Sequence, residues 1–158
     1  MQLRAAKKED LPGIFDLIVG LATFQKKESQ VTLTLDDLKK NFDDGFCNGF
    51  IIGNEAEKIA GMTLYHFRFS SWNGMSIYVN DLLVRPEYRN MTYGTQLLTA
   101  VAKMAKEKSV GLITWHVLDW NTAAIGFYDS VARVSREQDG ERYLEYKMTR
   151  EDVEKLAI

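Results

Sequence analysis

The hydrophobic period changes along the chain, and each change marks an element. Gln2 to Ala5 reads as a short opening strand. Leu11, Ile14, Phe15, Ile18, Leu21 and Ala22 then recur at helical spacing, with Pro12 near the start, where a missing N–H costs little. Thr34-Leu35-Asp36-Asp37 opens a second helix in capping-box style, with Leu35, Leu38 and Phe42 on one face. Phe50 to Asn54 and Lys58 to Phe69 flank the polar turn Glu55-Ala56-Glu57, which predicts a hairpin. A second turn, Ser70-Ser71-Trp72-Asn73-Gly74, leads into Ser76 to Val84, β-branched and apolar enough for a central strand, and Arg85-Pro86 breaks it. Gly94 to Lys108 is the clearest amphipathic helix, with Leu97, Leu98, Val101, Met104 and Ala105 inward and Gly111 as its stop. Leu112 to Val117 reads as a buried strand and Asn121 to Val131 as a helix, with Ala124, Phe127, Tyr128 and Val131 at matching spacing. Asp139-Gly140 then marks a last hairpin into Glu141 to Met148. The order is β-α-α-β-β-β-α-β-α-β: a mixed α/β sheet with the fourth strand and its following helix at the centre.

Composition narrows the function classes. At 158 residues the chain is the length of one domain, and with only two prolines no linker divides it, so 1–158 reads as a single domain. A net charge of -2 offers no basic field to nucleic acid or an anionic membrane. No apolar run approaches the ~18 residues of a membrane span. The N-terminus lacks the apolar stretch of a signal peptide. Cys47 has no second cysteine to pair with, which fits a reducing, cytoplasmic setting. His66 and His116 fall on predicted strands without partners at ligand spacing, so they read as satisfied histidines and no metal is expected. Cys47 has no matching histidine motif and is not read as a nucleophile. Tyr65, Phe67, Phe69 and Trp72 read as an aromatic cluster packing a strand and turn.

The candidate chemistry lies from Val79 to Lys108. A helix that begins just after a strand turns unpaired N–H groups and the positive end of its dipole towards an anion. Arg89-Asn90-Met91-Thr92-Tyr93-Gly94-Thr95 is placed to cradle a pyrophosphate there, Arg89 adding charge and Gly94 close approach. No Gly-Lys-Ser/Thr follows, so this is not a Walker loop, and the spacing of a dinucleotide fingerprint is missing.

Tyr88-Arg89-x-x-x-x-Gly94-x-x-Leu97-Leu98 resembles the acetyl-CoA-binding motif of the GNAT N-acetyltransferases, and Trp120-Asn121 with Tyr128 seven residues on resembles their WN…FY pattern. Arg4-Ala5-Ala6-Lys7-x-Glu9-Asp10 resembles the family's opening. Leu21-Ala22-x-Phe24, Ser29-Gln30-Val31, Trp72-x-Gly74, Ile77-Tyr78, Val84-x-Pro86-Glu87-Tyr88-Arg89 and Val117-Leu118-Asp119-Trp120-Asn121 are similar to the diamine and thialysine branch. The resemblance implies a largely antiparallel mixed sheet flanked by helices, with acetyl-CoA at strand 4 and the next helix. It implies acetyl transfer to a small primary amine by a homodimer. Arg89, Asn90, Thr92, Gly94 and Thr95 would hold the pyrophosphate, and the backbone at Leu82 and Val84 the pantetheine arm and the oxyanion. Asn121 would meet the cofactor, and Tyr128 would protonate the thiolate. Glu28, Asn80 and Asp81 would face the acceptor.

The chain also departs from that pattern. Asn90 and Thr92 stand where the usual loop has glycines, which places both at candidate positive φ and predicts weaker cofactor binding. The Thr92 methyl would crowd a phosphate, or its hydroxyl would bind one. Ala132 replaces a further glycine. Asn80 stands where the family carries a glutamate base, and Asn cannot take a proton. Alternation turns Asp81 to the opposite face. Deprotonation is left to water, to Asp81 through a local bulge, or to solution before binding. Gln25-Lys26-Lys27 leaves only Glu28 acidic in the acceptor loop. Thr92, Ala132 and Asn80 would also suit an acyl-CoA-binding domain with little activity, whereas Arg89, Asn121 and Tyr128 favour an enzyme. A protein N-acetyltransferase would need a peptide-binding loop, and none is visible.

Overall fold

The computed structural model describes residues 1–54, 58–72, 74–132, 148 and 152–153. The chain forms two compact units, Met1–His116 and Val117–Ile158. The first holds a five-stranded sheet in the order β1-β2-β3-β4-β5, from β1 (Gln2–Ala5), β2 (Asn48–Gly53), β3 (Ile59–Ser70), β4 (Gly74–Val84) and β5 (Ile113–Thr114). The first four strands pair antiparallel, and β5 runs parallel to β4. β4 is an interior strand, but β3 occupies the middle of the sheet.

Two helical layers cover the sheet. On one face α1 (Leu11–Phe24) and α2 (Leu35–Asp43) bury Leu11, Ile14, Leu17 and Leu38 against Ile51, Ile59, Met62 and Leu64. On the other, α3 (Tyr93–Glu107) buries Leu97 against Ile52 and Ala60, and Val101 and Ala105 against Tyr65, Ile77 and Val79. Each fully buried Leu or Val contributes roughly 1.5–3 kcal/mol, so helical periodicity is what fixes these faces. Gly61 sets how closely β4 approaches: a Cβ there would lie 2.9 Å from the Leu83 carbonyl and 3.3 Å from Leu97 Cδ1.

Helix ends follow local chemistry. Thr34 caps α2 as its sequence predicts, accepting the Asp37 amide while Asp37 accepts from Thr34 N–H. α3 stops before Gly111. Ser109 takes φ 56, and the Val110 and Ser109 amides bond back to the Ala105 and Lys106 carbonyls at 2.8 and 3.1 Å. That double bond is the Schellman arrangement, here with serine in the place glycine usually fills.

The predicted strand Leu112 to Val117 shrinks to Ile113–Thr114, because β4 pairs with β5 only through Ile77 and Tyr78. Leu112 and Val117 are exposed. The aromatic cluster also divides: Tyr65 is buried and Phe67 packs beside it, but Phe69 and Trp72 stand 84% and 92% exposed at the hairpin tip. In the second unit, α4 (Thr122–Asp129) begins at Asn121, whose Oδ1 accepts the Ala124 amide at 3.3 Å. Val131 lies beyond its end and is exposed. The predicted hairpin at Asp139-Gly140 and strand Glu141 to Met148 fall outside the described residues, apart from Met148 itself. Among the described residues no helix is long and apolar enough to cross a membrane.

Candidate active site

A β-bulge in β4 organises the site. Leu64 lies opposite Asp81 and Tyr65 opposite Val79, so Asn80 is an extra residue in the ladder. The insertion reverses side-chain alternation and corrects the placement of Asp81. Asp81 sits across from Leu64 on the α1/α2 face. His66, two residues beyond Leu64 and so on that face too, meets Asn80 Oδ1 through Nδ1 at 2.7 Å. Asn80 and Asp81 therefore share one face rather than opposing each other. Burial pushes the Asp81 carboxyl above its ordinary range; the Cys47 thiol beside it is pushed up too, first by burial and then by Asp81. A thiol held in its neutral form is a poor nucleophile.

Bulges bend strands, and β4 parts from β5 here: Tyr78 is its last residue paired with β5. From Val79 to Val84 no strand among the described residues pairs with that edge. The Arg85 amide bonds Ala60 on β3 at 2.9 Å. Alternation from Arg85 turns the Leu82 and Val84 peptide groups towards the open edge. Their side chains pack towards α3 with Leu97.

The loop after β4 brings the predicted anion-binding residues to one helix end. Arg89 closes a short 3-10 turn, Pro86–Tyr88, and donates from Nε to the Val84 carbonyl at 3.3 Å. Asn90 and Thr92 both adopt left-handed backbone, φ 63 and 60. Asparagine tolerates this, whereas a β-branched residue is strained. Thr92 is the α3 N-cap without a side-chain capping bond. Its hydroxyl donates to the Met91 carbonyl at 2.6 Å and accepts from Gln96 Nε2 at 3.1 Å, so it is engaged within the loop. The helical ladder begins with Gln96 N–H on the Thr92 carbonyl. The Tyr93, Gly94 and Thr95 amides thus precede it, as an anion site needs. A groove of about 580 Å³ runs along α3 from Thr92 and Thr95 to Lys103 and Glu107. It shares only its upper end with this loop and does not reach the open β4 edge.

The remaining predicted residues lie elsewhere. Glu28 begins a 3-10 turn between α1 and α2 and is exposed. Asn121 and Tyr128 belong to the second unit, Tyr128 half-buried on α4 with its ring 5.4 Å from that of Phe127.

The two histidines, each expected to be satisfied, meet in one cluster through Tyr78. His66 lies opposite Tyr78 in the register, ring centroids 5.4 Å apart. The Tyr78 hydroxyl meets His116 Nδ1 at 2.7 Å, and the Arg68 guanidinium lies 5.3 Å from the Tyr78 ring centre. Counting outward from the Ser70–Gly74 turn aligns His66 with Tyr78, a signal present in the sequence. The bulge that adds Asn80 to the pair had none.

The bulged strand, released from β5, thus leads into a helix whose first amides lie ahead of its hydrogen-bond ladder. The sequence pattern of the acetyltransferase (GNAT) family matches residues 12–132. A thialysine N-epsilon-acetyltransferase of Caenorhabditis elegans is 34% identical over 91% of this chain and 89% of its own. One from Mus musculus is 31% identical over 99% and 96%. Among solved structures, an aminoglycoside acetyltransferase from an uncultured soil metagenomic sample superposes with a TM-score of 0.74 at 20% identity, over 92% of this chain and 96% of that one. The chain belongs to the GNAT acetyltransferase family and has its fold. It is an N-acetyltransferase.

Proposed function

We propose that this protein moves the acetyl group of acetyl-CoA to the primary amine of a small diamine, polyamine or lysine-like acceptor such as thialysine. It acts in the cytoplasm as a homodimer, with residues 1–158 forming one functional domain. The observation that carries the reading is the open edge of β4 beside the α3 N-terminus. Pyrophosphate sits on the amides of Gly94 and Thr95, with Arg89, Asn90 and Thr92 around it. The pantetheine arm pairs along Leu82 and Val84 as an added strand would. The acceptor enters on the face of Asn80 and Asp81, with Glu28 at the rim.

The neutral amine attacks the thioester carbonyl, and the Leu82 amide meets the developing oxyanion. The C–S bond then breaks. Tyr128 gives its proton to the coenzyme A thiolate and regains one from the new amide nitrogen, while Asn121 orients the cofactor. The relatives' named acceptor, thialysine, supports a lysine-like amine. The exposed Phe69 and Trp72 support a paired hairpin tip in the dimer.

A thiol-release assay with acetyl-CoA over a panel of thialysine, lysine, ornithine, diamines and peptides tests the function. Release that depends on the small amines is expected. Release with peptides alone, or with none of them, overturns it. Light scattering at micromolar concentration should return twice the chain mass.

A further inference from the structure

We propose that His66, oriented by Asn80, is the base that takes the proton from the acceptor ammonium; this rests on the amine-acetylation reading above. Asn80 is itself incapable of the task, yet its Oδ1 lies 2.7 Å from His66 Nδ1. An amide oxygen only accepts, so Nδ1 carries the hydrogen and Nε2 is left with a free lone pair. An imidazole whose tautomer is fixed by a carbonyl-type oxygen is the arrangement of a proton acceptor.

The placement suits the reaction. Asn80 is two residues before Leu82, about 7 Å along a strand, and its bulge lies where β4 leaves β5. His66 is half-buried and Asn80 exposed, so the ring lies near the protein surface rather than in the core. The groups around the ring are Tyr78 opposite it, His116 on the Tyr78 hydroxyl, Arg68 over the Tyr78 ring, and Asp81 next along β4 on the same face. The first N–H proton of the ammonium goes to His66 Nε2 and then to water. The second replaces the one Tyr128 gives the thiolate. One proton is released per acetyl group moved, and the books balance.

The test is the pH profile of kcat/KM with thialysine or another active amine, measured beside imidazole ¹⁵N spectra. The parent should show an ascending limb between about pH 5 and 8, where histidines change charge, and a His66 signal with hydrogen on Nδ1. His66→Gln, which keeps a polar group beside Asn80, should lose that limb and at least about 10²-fold in kcat/KM. Its rate should recover as pH approaches the amine's own pKa. Asn80→Leu should reduce kcat and mix the tautomers, and Asn80→Asp should restore the Nδ1–H form. A folded His66→Gln enzyme within about twofold of its parent, with the same limb, overturns this assignment alone. Hydrogen on Nε2 in the parent overturns it as well. A parent that turns over no amine overturns the amine reading with it.

Discussion

Arg89 Nε donates to the Val84 carbonyl at 3.3 Å, tying the loop after β4 to the strand whose open edge it follows. One side chain thereby sets both the charge and the position of the proposed pyrophosphate cradle. Arg89→Ala should weaken acetyl-CoA binding by about 1.5–3 kcal/mol, the range of a charge-assisted contact. Calorimetry with unchanged affinity would remove this loop from the site. Thr92→Gly releases a strained φ of 60 and gives up a hydroxyl already engaged with Met91. Affinity should be equal or improved, and a clear loss would make the hydroxyl a phosphate ligand.

Tyr128→Phe deletes a hydroxyl and keeps the ring against Phe127. If Tyr128 protonates the leaving thiolate, kcat falls by a factor on the order of 10² while cofactor affinity and melting temperature barely move. A tyrosine with only a structural part predicts the reverse. Turnover within about twofold of the parent, below ~0.5 kcal/mol in barrier, would hand the proton transfer to water.

Asp81 links stability to pH with an unusual sign. Burial raises its folded pKa above the unfolded value of about 3.9. Below the unfolded value both states are protonated and folding is not penalised. As pH rises from there through the folded pKa, the native state resists ionisation and stability falls. Asp81→Asn should therefore raise the melting temperature at pH 7 and leave it nearly unchanged at pH 3. An equal shift at both values would mean packing, not charge, is responsible.

Ser109→Gly tests the end of α3. At φ 56 an L-residue is strained and glycine is not. After glycine's extra unfolded-state entropy, a gain of about 0.5–1 kcal/mol is expected, readable as a melting shift of roughly 1–4 °C. No shift or a loss would show that the serine side chain compensates.

Which features could be read from residues alone follows from how local their causes are. The α2 capping box needs only Thr34 and Asp37, and α1 and α3 need only periodicity, so all three were legible. The loop's positive φ values at Asn90 and Thr92 were legible too, because glycine's absence there is conspicuous. The stop of α3 was not: Ser109 adopts a glycine conformation through hydrogen bonds to Ala105 and Lys106, and nothing in a serine announces it. The strand around Ile113 was overdrawn, since apolar residues cannot say how far a neighbouring strand will accompany them. The bulge at Asn80 depends on pairing across β3 and is invisible along β4 alone, which is why simple alternation turns Asp81 to the wrong face and does not name Asn80 as the partner of His66.

That extra residue also separates what the core needs from what the site uses. Upstream of Asn80, Ile77 and Val79 point to α3; downstream, Leu82 and Val84 do so. The two stretches are out of phase in residue number, and the inserted Asn80 absorbs the step. Deleting Asn80 would restore plain alternation and keep all four apolar side chains on α3. What would disappear is the Asn80 contact with His66. The packing of β4 can therefore do without this residue, and its place in the strand is owed to the surface it forms rather than to the core.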